Sequence, residues 1–140
     1  MLAESKNAAE SVLEAFNGLQ ARALVQEYIS EAKGSDLRAL IVDGQVVGAM
    51  KRQGKEGEFR SNLHRGGPSE YIKLNEAELK LAIKAARALK LPVCGVDMLQ
   101  SSRGPLLMEV NSTPGLEGIE RTTGRNIARA IITFIERNKK

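Results

Sequence analysis

The stretch PVCGVDMLQSSRGPLLMEVN, residues 92–111, decides the fold. Two apolar runs, 92–100 and 105–111, flank Ser101-Ser102-Arg103-Gly104, a pattern that predicts a β-hairpin. Side chains in a strand alternate faces, so Leu107, Glu109 and Asn111 should share one face and Met108 and Val110 the other. If paired residue numbers sum to 206, Asp97 lies directly opposite Glu109, with Cβ atoms about 5 Å apart. A slip of one residue would send Asp97 to the other face and dissolve the cluster. Two carboxylates so placed repel unless a cation lies between them. With the neutral oxygen of Asn111 they form a hard-oxygen set suited to Mg²⁺, which completes its shell with phosphate oxygens and waters. The set has no His or Cys, which disfavours zinc. The competing reading is a solvated hairpin face whose acids meet water or nearby lysines. The spacing alone does not separate the two.

Outward from this hairpin, the chain alternates helical and strand patterns. Ser5 reads as a helix cap, followed by an apolar face of Ala9, Val12, Leu13 and Phe16 that ends at Asn17-Gly18. Residues 1–3 read as the tail of a strand, ALVQEYI (23–29) as a strand and SEAKGSD (30–36) as a loop. LRALIVDGQVVGAMKR (37–52) reads as a hairpin turning at Asp43-Gly44. NEAELKLAIKAARALK (75–90) is a helix with a capping box of Asn75 and Glu78 and a buried stripe of Leu79, Ala82, Ile83 and Ala86. Its Lys80, Lys84 and Arg87 form a solvated face. IARAIITFIERN (127–138) closes the chain as a helix with Ile127, Ala130, Ile131, Phe134 and Ile135 on one side. The fold class expected is α+β, a mainly antiparallel sheet with helices packed on it.

Composition narrows the function. The chain of 140 residues suits one domain and contains no apolar run long enough to span a membrane. Its one cysteine, Cys94, lies in an apolar run, so it forms no internal disulfide and reads as a small buried hydrophobe in a cytoplasmic protein. A net charge of +4 permits nucleic acid, nucleotide phosphates or acidic tails as partners. Aromatic content of 4% argues against a base-stacking platform, so no direct nucleic-acid partner is expected.

Residues 53–70 form a long polar stretch with Arg60, Ser61, Asn62, His64 and Arg65 between glycines. Arginines bind phosphate oxygens bidentately, Ser and Asn add donors, and glycines let backbone approach a ligand. A mobile basic loop is the alternative. His64 is the only histidine, so no multi-histidine metal site exists. No G-x-x-x-x-G-K-[ST] loop is present, which removes the P-loop fold. Metal-binding carboxylates with phosphate-binding arginines are equipment for nucleotide-phosphate chemistry.

Four segments, LVQEYISEAKGSDLRALIVDGQVVGAMKR, EGEFRSNLHRGG, CGVDML and LLMEVNSTPGLEGIERTTG, resemble the RimK-type ATP-grasp ligases, in particular their ribosomal-protein glutamate ligase branch. The resemblance covers essentially all 140 residues. It implies an ATP-grasp large lobe and a ligase that joins a carboxylate to an amine with ATP and Mg²⁺ (or Mn²⁺), two ions, through an acyl-phosphate. The implied partners are ATP, glutamate and the acidic C-terminal tail of a small-subunit ribosomal protein, and the pattern leaves room for a homo-oligomer. It further implies that backbone of Glu27, Tyr28 and Ile29 borders the adenine, and that Asp36 lies at the ribose. Arg60, Ser61 and Asn62 are implied to contact phosphates, with Arg60 and Arg52 acting on the transferring phosphoryl group, and Asp97, Glu109 and Asn111 to hold the metal. Gly115, Gly118, Glu117 and Glu120 are implied to border the acceptor.

Family members are roughly twice this length, with an N-terminal domain and a glycine-rich lid expected before Met1. Residues 1–22 then correspond to the end of the small lobe and 23–140 to the large lobe, and the polypeptide alone is expected to have negligible ligase activity. Two rivals remain at this point: an ATP-grasp ligase for another acidic acceptor, such as an amino-group carrier protein or a small γ-glutamyl acceptor, and a basic RNA- or ribosome-binding module.

Overall fold

The computed structural model describes residues 1–54 and 67–139. In chain order the elements are α1 (Lys6–Gly18), a single 3₁₀ turn (Ser30–Ala32), β1 (Ser35–Val42), β2 (Gln45–Gln53), β3 (Ser69–Tyr71), α2 (Glu76–Ala88), β4 (Val93–Ser101), β5 (Gly104–Asn111), α3 (Glu117–Thr123) and α4 (Ile127–Arg137). The two hairpins merge into one antiparallel sheet of order β3-β2-β1-β4-β5. Asp43 and Gly44, both at positive φ (54° and 71°), make the β1–β2 turn. This is the primed turn whose twist matches that of its strands.

The β1 sequence SDLRALIV builds both faces of the sheet. Leu37, Ala39 and Ile41 point one way, where Cys94, Val96 and Met98 of β4 and Ala82, Ala85 and Ala86 of α2 complete the main core. Small alanines let α2 lie close to the sheet. Asp36, Arg38 and Leu40 alternate to the opposite face. There Leu40 and Met50 pack with Ile119 of α3 and Ile127 of α4 in a second, smaller core. Gly48 makes room for it: a Cβ there would come 3.2 Å from Ile127 Cδ1. The remainder of that face, left uncovered by α3 and α4, carries the charged residues.

Several expectations need correction. Residues 1–3 and 23–29 are not strands: among the described residues neither stretch has a ladder partner, and Leu24, Val25 and Tyr28 are exposed. β-branched and aromatic composition alone does not make a strand; the backbone must also pair in a ladder. The 30–36 loop contains the 3₁₀ turn, and β1 already begins at Ser35. The capping box of α2 is present, but the buried face is Glu78, Ala82, Ala85 and Ala86, with Leu79 exposed. Glu78 is drawn inward because its other oxygen accepts from Gln100 Nε2 at 2.9 Å, which ties the cap to β4. β3 and α3 were not expected. Ile132 and Ile135 of α4 are about half exposed, and α1 buries none of its residues.

Candidate active site

Antiparallel register assembles the site. Arg38 pairs with Asp97 across β1–β4, and Asp97 with Glu109 across β4–β5. Asp36 pairs with Arg52 across β1–β2, and Gly95 with Asn111 across β4–β5. Adjacent rows two residues apart share a face, so Asp36, Arg38, Arg52, Asp97, Glu109 and Asn111 all line one cleft of about 1400 Å³. The Asp97–Glu109 opposition holds as the sequence predicts, yet by an unforeseen route. A β-bulge between Asp97 and Met98 leaves Met108 without a partner, and Leu107 pairs with Met98. The expected alternation through Leu107 is therefore broken.

Four of these side chains form an alternating chain of charge. Arg52 donates Nε and Nη2 to Asp36 at 2.6 and 2.6 Å, and Nη2 also to Asp97 Oδ2 at 2.8 Å. Arg38 donates Nε to Asp97 Oδ1 at 2.7 Å and Nη2 to Oδ2 at 2.6 Å. Asp36, Arg52 and Asp97 are all buried. Bidentate guanidinium–carboxylate pairs are the geometry that makes burial of such charges tolerable. Burial pushes the Asp97 carboxyl up, but the Arg38 hydrogen bond and the charges of Arg52 and Arg38 outweigh it and hold it below its ordinary value. Burial likewise opposes the Arg52 charge, and Asp36 and Asp97 overcome it and raise that group.

Glu109 stands at the open end of this chain. Its side chain is 57% exposed, and the contact with Arg38 Nη2 is 4.0 Å. Burial and then the neighbouring Asp97 charge push its carboxyl above the ordinary value. Asn111 Oδ1 accepts from the Thr113 amide at 2.9 Å, which fixes the amide oxygen beside the two acids.

Among the described residues no group of three or more His, Cys, Asp or Glu could hold a metal ion. The donors present are two carboxylates and one amide oxygen. That composition fits Mg²⁺, which takes few protein carboxylates and fills its shell with phosphate and water. The Asp97 charge helps to raise the Glu109 carboxyl, and a cation beside both acids would relieve that penalty.

Glu27, Tyr28 and Ile29 lie on the rim of the same cleft. Ile29 is buried, while Glu27 and Tyr28 are exposed. Arg60, Ser61, Asn62 and His64 lie outside the described residues. Cys94 is buried, as expected, and burial pushes its thiol up. Glu120, expected at the acceptor side, accepts from the Ala128 amide at 2.8 Å and so serves the start of α4. The residue sequence reasoning missed is Arg38. Its signal was there: a cation two positions from Asp36 in an otherwise apolar central strand must share that acid's face.

Comparison with known proteins now fits this geometry. The model of the RimK-like ATP-grasp domain matches residues 1–135. The chain belongs to the RimK-like ATP-grasp family. Curated relatives include a probable alpha-L-glutamate ligase of Halorhodospira halophila, 59% identical over 140 residues, and one of Vibrio parahaemolyticus, 57% identical over 140 residues. Each match covers 100% of this chain and 46% of the relative, so the chain spans about half the length of the relatives it matches. Among solved structures, D-alanine–D-alanine ligase from Bacillus anthracis complexed with ATP superposes with a TM-score of 0.64 at 23% identity, over 94% of this chain and 46% of that one. The ATP-grasp ligase PsnB, complexed with a phosphomimetic variant of its minimal precursor, Mg and ADP, gives 0.63 at 15% identity, over 94% and 50%. At these identities the likeness shows the ATP-grasp fold, in agreement with the α+β sheet described above. Among the described residues no helix is long and apolar enough to cross a membrane.

Proposed function

We infer that this RimK-like chain forms the large, nucleotide-binding lobe of an ATP-dependent ligase that adds glutamate to the C-terminal glutamate of a small-subunit ribosomal protein in the cytoplasm. The observation that carries this reading is the Asp97–Glu109 cross-strand pair, which opens to the cleft beside Asn111 and is backed by two arginines. The names of the curated relatives support glutamate as the residue added. The chain's net charge of +4 suits an acidic tail.

Asp97, Glu109 and Asn111 would hold Mg²⁺, for which Mn²⁺ can substitute, and the reading takes two ions. When bound, the metal withdraws charge from the phosphate oxygens of ATP. Arg38 and Arg52 keep Asp97 ionised and fixed in place, which suits it to hold a cation. Asp36 orients Arg52 by taking two of its donors, and Arg52 with Arg60 offers positive charge to the transferring phosphoryl group. Ser61 and Asn62 add donors to the phosphates, and the backbone of Glu27, Tyr28 and Ile29 borders the base.

In the first step a carboxylate oxygen of the acceptor bonds to the γ-phosphorus, the bond to the bridging oxygen breaks, and ADP leaves. The glutamate nitrogen then bonds to the acyl carbon, inorganic phosphate leaves, and the nitrogen gives up a proton. Both steps depend on position and electrostatics, so no side-chain nucleophile is needed. Incorporation of labelled glutamate into a peptide ending in glutamate tests the reading in the ligase that carries this lobe. Asp97→Asn and Glu109→Gln should each lower kcat by orders of magnitude. Near-normal rates in both would refute the assignment.

A further inference from the structure

The stretch before the 3₁₀ turn, residues 21–29, has no regular secondary structure and, among the described residues, no strand partner, yet it forms one wall of the cleft. This stretch and the 3₁₀ turn after it each have a neighbour in space from far along the sequence. At the β4–β5 turn, Arg103 Nη2 donates to Glu27 Oε2 at 2.8 Å across 76 residues. The Ser102 hydroxyl donates to Glu31 Oε1 at 2.9 Å, and the Ser102 amide donates to the same oxygen at 3.4 Å. The turn is itself held rigid: Ser101 Oγ donates to the Gly104 carbonyl at 2.8 Å and accepts from the Arg103 amide at 3.1 Å.

The geometry points to a latch, in which Ser102 and Arg103 grip Glu27 and Glu31 and so set the position of the 26–29 backbone that lines the nucleotide end of the cleft. This rests on the ligase reading above and deepens it: Arg103 is a positioning residue for the nucleotide base, remote from the carboxylates that take the metal. Three features favour a positional role over a stabilising one. First, Glu27, Glu31, Ser102 and Arg103 are all exposed, and exposed ion pairs contribute little to global stability. Second, the segment they hold lacks any ladder of its own, so its placement depends on such tethers and on the buried Ile29 and Ala32. Third, each acid has a distinct partner on a two-residue turn, which fixes orientation as well as distance. The bonds act on the charges as well: its own amide and Ser102 hold the Glu31 carboxyl below its ordinary value, and Glu27 raises the Arg103 guanidinium.

The test is a charge swap in the ligase that carries this lobe. Arg103→Glu and Glu27→Arg should each raise KM for ATP by about two- to tenfold, the scale of an exposed pair made repulsive. Arg103→Glu should leave kcat within about twofold and the melting temperature unchanged, and Arg103→Glu/Glu27→Arg should return KM to near wild type. A second readout needs no activity. Hydrogen exchange of amides 24–29 should rise in Arg103→Glu and fall back in the double variant. Unchanged exchange in the single variant, or a double variant as impaired as the two singles together, would overturn the latch. An absence of ATP-dependent ligation in the wild type would instead overturn the ligase reading, and the exchange experiment would still judge the latch.

Discussion

Asp97 faces Glu109 across the β4–β5 ladder because the bulge passes over Met108. From the turn inward, Ser101 pairs with Gly104, Gln100 with Pro105, Leu99 with Leu106 and Met98 with Leu107. Continued without interruption, that register would set an apolar Met108 against the buried Asp97. The bulge instead delivers an acid to the cleft and aligns Asn111 with Gly95 in the next row. Deleting Met108 should therefore preserve the opposition, since Glu109 then falls into the regular ladder position. Circular dichroism should stay native-like and Mg²⁺-dependent nucleotide affinity should stay within about tenfold. Loss of that affinity in a folded variant would mean that the bulge aims the side chain as well as setting the register.

Asp97 balances two arginines, so its removal should be costly. Among the described residues, Asp97→Ala leaves Arg38 the 4.0 Å contact to Glu109 as its acidic partner, while Arg52 keeps Asp36. Breaking a buried pair in this way costs about 3–5 kcal/mol. Asp97→Ala/Arg38→Met, which removes both charges, should regain much of that loss. Urea unfolding of the two single variants and the double gives the coupling directly. A cost below about 1 kcal/mol for Asp97→Ala would contradict the buried network.

Much of this was legible in the sequence because strand alternation and hairpin turns are local signals. The Asp43-Gly44 turn, the capping box of Asn75 and Glu78, and the faces of Asp97 and Glu109 follow from neighbours within a few residues. What was not legible depends on distant partners. Among the described residues the strand-like 23–29 stretch joins no ladder, although β5 stands at an edge of the sheet. Leu79 loses the buried face of α2 because Gln100 draws Glu78 inward. α3 was hidden by Gly118 within a seven-residue helix whose one buried side chain is Ile119. The role of Arg38 becomes visible only once β1 and β4 are placed side by side.

Gly95 is a close-approach position next to the site. A Cβ there would meet Pro114 Cβ at 3.0 Å. Gly95→Val should push the loop after β5 off the sheet and with it Asn111, whose oxygen is fixed by Thr113. The expected cost is about 1–3 kcal/mol of stability, as for other overpacked sites, together with weakened Mg²⁺-dependent nucleotide binding. A variant neutral in both thermal melting and binding would show that this loop moves freely without consequence.

Cys94 supplies a pH prediction. Burial raises its thiol above the usual value of 9.0, so the native state holds this proton more tightly than the unfolded chain does. The sign follows from linkage: stability is unaffected below the unfolded value and falls as pH rises through the range between the unfolded and folded values. Unfolding free energy measured from pH 7 to 10 should decline more steeply in wild type than in Cys94→Ala, beginning near the unfolded value. In the same range the native thiol should react slowly with a disulfide reagent, and rapid labelling at neutral pH would contradict its burial.

The most direct measurement is calorimetric titration of a non-hydrolysable ATP analogue into the ligase carrying this lobe, with and without Mg²⁺, for wild type and Glu109→Gln. Glu109 is exposed to the cleft and outside the Arg52–Asp36 pairing, so its replacement should leave the fold intact. The account predicts that Mg²⁺ strengthens binding to wild type and that Glu109→Gln removes at least about tenfold of that gain, with Mg²⁺-free affinity unchanged. Equal Mg²⁺ enhancement in both proteins would contradict the claim that the Asp97–Glu109 pair is the metal site.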